Sequence, residues 1–164
     1  MSSANGWGAT VKGAPTVESV ARRSKTLSVR DIELYTEITG DRNPLHYDEE
    51  VARKSQFGGL IVQGGVTSGM LNALVAEDLP GPGTVFLNMN LTFTKAAYVG
   101  DTITASVRVT SVRMDKPICK LAVEVRDSKG DVCLSGEAAT YTAALQQADG
   151  RDPVSQKSEV QQIG

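Results

Sequence analysis

Gly64-Gly65-Val66-Thr67-Ser68-Gly69-Met70-Leu71-Asn72-Ala73-Leu74-Val75-Ala76-Glu77-Asp78-Leu79 decides how the rest of this chain must fold. Val66, Met70, Leu71, Ala73, Leu74 and Val75 cover more than one helical face, and charges appear only at the far end, in Glu77 and Asp78. A helix without a polar face is buried, so the segment is predicted to run through a core rather than over a surface. Pro80-Gly81-Pro82-Gly83 marks its end. From Thr84 the apolar period changes to two. Val85, Leu87, Met89, Leu91 and Phe93 alternate with polar or outward positions, as do Ile103, Ala105, Val107 and Val109. Asp115-Lys116-Pro117 precedes a third strand with Leu121, Val123 and Val125. Asp127-Ser128-Lys129-Gly130 reads as a hairpin turn before a fourth, about Val132 to Tyr141. Each strand is expected to bury one face, in an antiparallel meander. The predicted fold class is α+β, a single domain in which a curved antiparallel sheet wraps one central helix.

Upstream of that helix, Ser28 and Asp31 make a capping-box-like start, Ile32, Leu34, Tyr35 and Ile38 supply an apolar helical face, and Gly40 suits a helix stop. There follows Gly40-Asp41-Arg42-Asn43-Pro44-Leu45-His46-Tyr47-Asp48, after which Asp48 caps a second short helix through Glu49, Glu50, Val51 and Ala52. Asp41 and the chain's only histidine, His46, thus sit five positions apart on a loop stiffened by Pro44 between two helix ends. A carboxylate and an imidazole with no Ser or Cys nucleophile in an obvious motif point to acid–base work on a water molecule. Gln63-Gly64-Gly65 opens the buried helix, where unpaired backbone N–H groups and the helix dipole favour developing negative charge. Water activation beside an oxyanion site suits two reactions of acyl thioesters, addition of water across an α,β-double bond and hydrolysis of the thioester. Spacing does not choose between them, nor between Asp41 and His46 as first proton acceptor.

The 164 residues fit one domain. Residues 1–15 are rich in Gly, Ser and Ala and residues 145–164 are polar without periodicity, so both read as flexible tails around a domain at 16–144. Seventeen basic and nineteen acidic residues give a net charge of -2 without a Lys/Arg stripe, which argues against nucleic acid as a partner. Apolar runs fall short of a membrane span and the N-terminus lacks a signal-peptide layout, so a cytoplasmic protein is expected. Cys119 and Cys133 read as buried strand thiols, and with one histidine no metal site is expected. Lys95, Arg108, Arg113 and Lys116 are read as solvated surface, and Asn72 as a helix–sheet hydrogen bond.

The motif Gly40-Asp41-x-Asn43-Pro44-x-His46-x-Asp48 resembles that of the MaoC-like family, the (R)-specific enoyl-CoA hydratases of the hot-dog fold. The resemblance runs over roughly 25–142 and continues through the small-residue helix after Gly64, Phe93 followed by Val99-Gly100-Asp101, Asp115-Lys116-Pro117, and Gly136-Glu137-Ala138. It implies that Asp41 and His46 are the catalytic pair, that Gly64 with Gly65 supplies backbone donors to the thioester oxygen, and that Asn43 shapes the loop. It also implies reversible hydration of a trans-2-enoyl-CoA or acyl-carrier thioester, no cofactor beyond coenzyme A within the substrate, and a homodimer or higher homo-oligomer. Two departures from the family pattern are Gln63-Gly64 in place of a frequent His-Gly, and Ala96-Ala97-Tyr98-Val99 in place of a frequent Pro-Val. The alternatives are a hot-dog thioesterase, whose catalytic carboxylate commonly lies on the central helix, and a non-catalytic thioester-binding subunit.

Overall fold

A computed structural model describes residues 5–145. Its elements are β1 (Val20–Thr26), α1 (Val29–Thr39), α2 (Pro44–Tyr47), α3 (Glu49–Lys54), α4 (Gly64–Ala73), β2 (Thr84–Phe93), β3 (Thr102–Val112), β4 (Ile118–Arg126) and β5 (Val132–Thr142), with a π-helical turn over Leu74–Asp78 continuing α4. The period-two alternation does what it predicts on three strands. Ile103, Ala105, Val107 and Val109 of β3, Leu121, Val123 and Val125 of β4, and Leu134 and Ala138 of β5 are buried together with Leu71, Leu74 and Val75 of the central helix segment. Removing one such leucine side chain typically costs about 2–5 kcal/mol, so this layer contact holds α4 in place. The architecture is the α+β arrangement expected, a five-stranded antiparallel sheet with the central helix against its inner face.

Sheet order is β1-β3-β4-β5-β2, which corrects the sequence reading in two ways. Only β3, β4 and β5 form a meander, since β2 pairs with β5, from Thr84↔Thr142 to Phe93↔Leu134, instead of with its successor β3. The opposite edge is β1, a strand the sequence pattern did not announce, paired from Val20↔Arg108 to Thr26↔Thr102. The link between β2 and β3 crosses the end of the sheet and is tied down on the way, with Val62 N–H donating to Ala97 O at 2.9 Å and Gly100 N–H to Leu27 O at 2.8 Å.

The expected inward face of β2 is also corrected. A bulge between Phe86 and Asn88 inverts the alternation. Phe86 faces inward before it, and Met89, Leu91 and Phe93 do so after it, opposite Ala138, Gly136 and Leu134. Val85 and Leu87 therefore face away from the core and are exposed. Even on the inner side Met89 and Phe93 stay 41% and 55% exposed, because no described element covers that edge. On α1, Ile32 and Thr36 are buried while Leu34 and Ile38 remain open.

From Asn5 onward the N-terminal segment packs against the fold. Trp7 is 1% exposed within the core, its indole N–H donates to Arg113 O at 2.6 Å, and Gly6 N–H donates to Met114 O at 2.8 Å. Lys12 Nζ donates to Asp78 O at 2.8 Å and Glu77 O at 3.1 Å, placing a cation on the carbonyl end of the central helix. A lone Trp carries no periodicity, so a composition rich in Gly and Ser concealed it. From residue 146 the expected C-terminal tail lies outside the described residues.

Candidate active site

Gly40 closes α1 in a left-handed conformation (φ 76°), its N–H donating to Thr36 O at 2.7 Å, and this turn releases Asp41 from the helix. Three hydrogen bonds then fix Asp41, the first from its own N–H to Thr39 Oγ1 at 3.2 Å. Its carbonyl accepts from Thr36 Oγ1 at 2.8 Å, and its Oδ1 accepts from Asn43 N–H at 3.0 Å. Asn43 caps α2 by accepting from Leu45 N–H at 3.1 Å, with Pro44 as the first helical residue. Asn43 is thus bonded on both sides of the turn.

One turn of α2 carries His46 inward to 8% exposure. Its Nδ1 lies 2.7 Å from Ile61 O. A carbonyl oxygen only accepts, so Nδ1 carries the proton and, in the neutral ring, Nε2 holds the free lone pair. Nε2 faces Asp41 Oδ2 at 3.7 Å, too far for a direct hydrogen bond and suited to a water shared by both. Asp41 is 39% exposed, so the space between the two side chains is open to solvent.

His46 and Gly64 line one cleft of about 370 Å³, walled by Val62, Thr67, Phe93 and Ala97. Gly64 opens α4, whose first N–H groups have no partner within the helix. A Cβ on Gly64 would stand 3.0 Å from the Phe93 ring, so glycine keeps the backbone open to the cleft. Gly65 is placed differently. It lines a second trough, between α1 and α4, with Leu34, Tyr35 and Ile38, and Tyr35 lies directly over it.

Three polar groups here were not legible as site residues. Gln63 is 2% exposed and donates through Nε2 to Ile32 O at 3.2 Å and Thr36 Oγ1 at 3.1 Å. Tyr47 OH donates to the same Thr36 hydroxyl. Lys95, on the cleft rim, is bound by Asp127 at 2.5 Å and Asp131 at 2.8 Å, contacts that raise its pKa and hold the Asp127 carboxyl below the usual range. Arg108 and Arg113 are likewise paired, with Glu18 and Asp115. Asn72 is exposed, bonding Gly69 O at 3.3 Å rather than the sheet. Glu77 and Asp78, the acids of the central helix segment, are engaged by Arg23 at 2.7 and 2.6 Å on its final turn. Cys119 and Cys133 are free and buried, as read from the strands. Among the described residues no helix is long and apolar enough to cross a membrane.

The chain is similar to known proteins in sequence and in fold. Residues 11–130 match the family described as MaoC like domain. The chain is 35% identical over 118 residues to an (R)-specific enoyl-CoA hydratase of Aeromonas caviae, covering 72% of this chain and 88% of that protein. It is 36% identical over 126 residues to a 3-hydroxybutyryl-CoA dehydratase of Methylorubrum extorquens, covering 76% and 79%. The solved (R)-hydratase of A. caviae, involved in PHA biosynthesis, superposes with a TM-score of 0.76 at 32% identity, covering 79% of this chain and 98% of that one.

Proposed function

This chain belongs to the MaoC-like domain family, and on that premise we infer that it is a hydro-lyase adding water reversibly across a trans-2-enoyl thioester to give the (R)-3-hydroxyacyl thioester. The observation that carries the inference is the 3.7 Å gap between His46 Nε2 and Asp41 Oδ2, beside the open N-terminus of α4. Coenzyme A or an acyl carrier enters as part of the substrate.

The acyl thioester lies in the cleft with its carbonyl oxygen at the Gly64 N–H. Water held between Asp41 and His46 gives its proton to Nε2, the nitrogen with the free lone pair, while hydroxide bonds to C3. The C2–C3 π electrons move toward the thioester oxygen, where the helix N-terminus stabilises the enolate. The proton then returns to C2, and the sum is one water added. Losing a single oxyanion donor typically costs about 3 kcal/mol of transition-state stabilisation.

The active unit is a homodimer paired along β2, supported by that strand's uncovered edge and the exposed Met89 and Phe93. Free buried thiols support a reducing compartment, the cytoplasm.

Incubation with crotonyl-CoA tests the function. Loss of enoyl-thioester absorbance with formation of the (R)-3-hydroxy product is expected. Free thiol release instead would indicate a thioesterase, a reading disfavoured by the engagement of Glu77 and Asp78 with Arg23. Neither change would indicate a non-catalytic subunit.

A further inference from the structure

We propose that Thr36 is a positioning residue for the hydration reaction, its hydroxyl registering the Asp41 loop against the start of the central helix. The proposal rests on the hydratase function above. Thr36 lies in the last turn of α1, 5% exposed, and its Oγ1 meets three partners from three parts of the chain.

Every proton direction in this node is fixed. Gln63 must aim its NH2 at Ile32 O, since a carbonyl cannot donate, so the same NH2 also donates to Thr36 Oγ1. Its Oε1 has no donor among the described residues, so both of the amide's protein contacts run through its NH2. Thr36 has one proton, which goes to Asp41 O at 2.8 Å, so Tyr47 OH donates to Thr36. A hydroxyl donates once and accepts twice, so the node is saturated.

Its geometry links both halves of the reaction. Gln63 immediately precedes Gly64, the oxyanion donor, and Tyr47 immediately follows His46. Asp41 is the catalytic carboxylate itself. One hydroxyl therefore ties together the backbone of the acid and the neighbours of the base and the oxyanion donor. Catalysis depends on holding such groups in near-attack geometry, and displacements near 1 Å cost on the order of a hundredfold.

The test replaces Thr36 by valine, which has the same shape without the hydroxyl, and by serine, which restores it. Initial rates of crotonyl-CoA hydration are measured, together with 15N NMR of His46, the chain's only imidazole. Thr36→Val is expected to lower kcat about tenfold or more with KM within about twofold, and Thr36→Ser to recover to within about threefold of wild type. Thr36→Val should keep the Nδ1–H signature of His46, since Ile61 O holds that proton independently. The role is overturned if Thr36→Val turns over at the wild-type rate, if serine fails to rescue, or if the valine variant loses the His46 signature, which would make Thr36 a fold determinant only. A wild-type chain that leaves crotonyl-CoA unchanged overturns the hydratase function, and the role of Thr36 with it.

Discussion

The phenolic oxygen of Tyr35 stands 1.7 Å from where a Cβ on Gly65 would lie, so the first turn of α4 passes beneath a side chain of α1 with no room between them. Gly65→Ala must displace the ring, and overpacking of this kind costs about 1–3 kcal/mol. In a Tyr35→Ala background the obstruction is gone. The same change should then be neutral or stabilising there, since alanine exceeds glycine in a helix by about 1 kcal/mol. Urea denaturation of the four proteins in this cycle checks it, and a penalty that persists without Tyr35 would contradict the steric account.

Asp41→Asn and His46→Gln should each lower the hydration rate at least about a hundredfold, the low end for positioned acid–base groups. The proposed mechanism places one water between these two side chains, whose Nε2 and Oδ2 lie 3.7 Å apart, so the double variant should lose little beyond the worse single one. Near-normal turnover in either, or an (S) product from wild type, would remove the assignment.

His46 should be found as the Nδ1–H tautomer when neutral, because Ile61 O accepts from it at 2.7 Å. The ring is unique in the chain, so its 15N resonances need no assignment by mutation. Observation of Nε2–H would reverse the roles given to the two nitrogens.

Trp7→Ala should destabilise the protein by about 3–5 kcal/mol, the usual cost of deleting a buried aromatic side chain. Deletion through residue 14 should cost at least as much, since it also removes Lys12 from the end of the central helix. An unchanged thermal transition after either would show that the segment is dispensable.

Acid sensitivity should have a local source at the β4–β5 turn. Lys95 holds the Asp127 carboxyl below its usual pKa, so this pair stabilises the fold above about pH 4, and the stabilisation is lost as pH falls through the depressed value. Lys95→Met removes the cause. Its melting temperature should therefore fall less steeply than that of wild type between about pH 5 and pH 2. Parallel slopes would contradict this.

What could be read from the chain alone was what local order encodes. The central helix announces itself through apolar residues on every face, β3, β4 and β5 through strict alternation, and the Asp41–His46 pair through spacing about Pro44. What escaped depends on distant partners. Nothing near Trp7 hints at Arg113, which lies 106 positions away. Leu87 looks inward until a bulge reverses it, and β2 looks like the neighbour of β3 because successive strands usually pair. Thr36 looks like a weak helix former, yet it is the side chain on which Gln63, Tyr47 and Asp41 converge. His46 was visible as a titratable group, while the carbonyl that selects its tautomer was not.

On the pairing along β2 proposed above, the protein's stability becomes a matter of mass action. A protomer that hides Met89 and Phe93 only against another copy gains that burial in proportion to how often it meets one. Its melting temperature should climb as the solution is concentrated, and a nanomolar assay and a millimolar spectrum would sample different populations of the same chain.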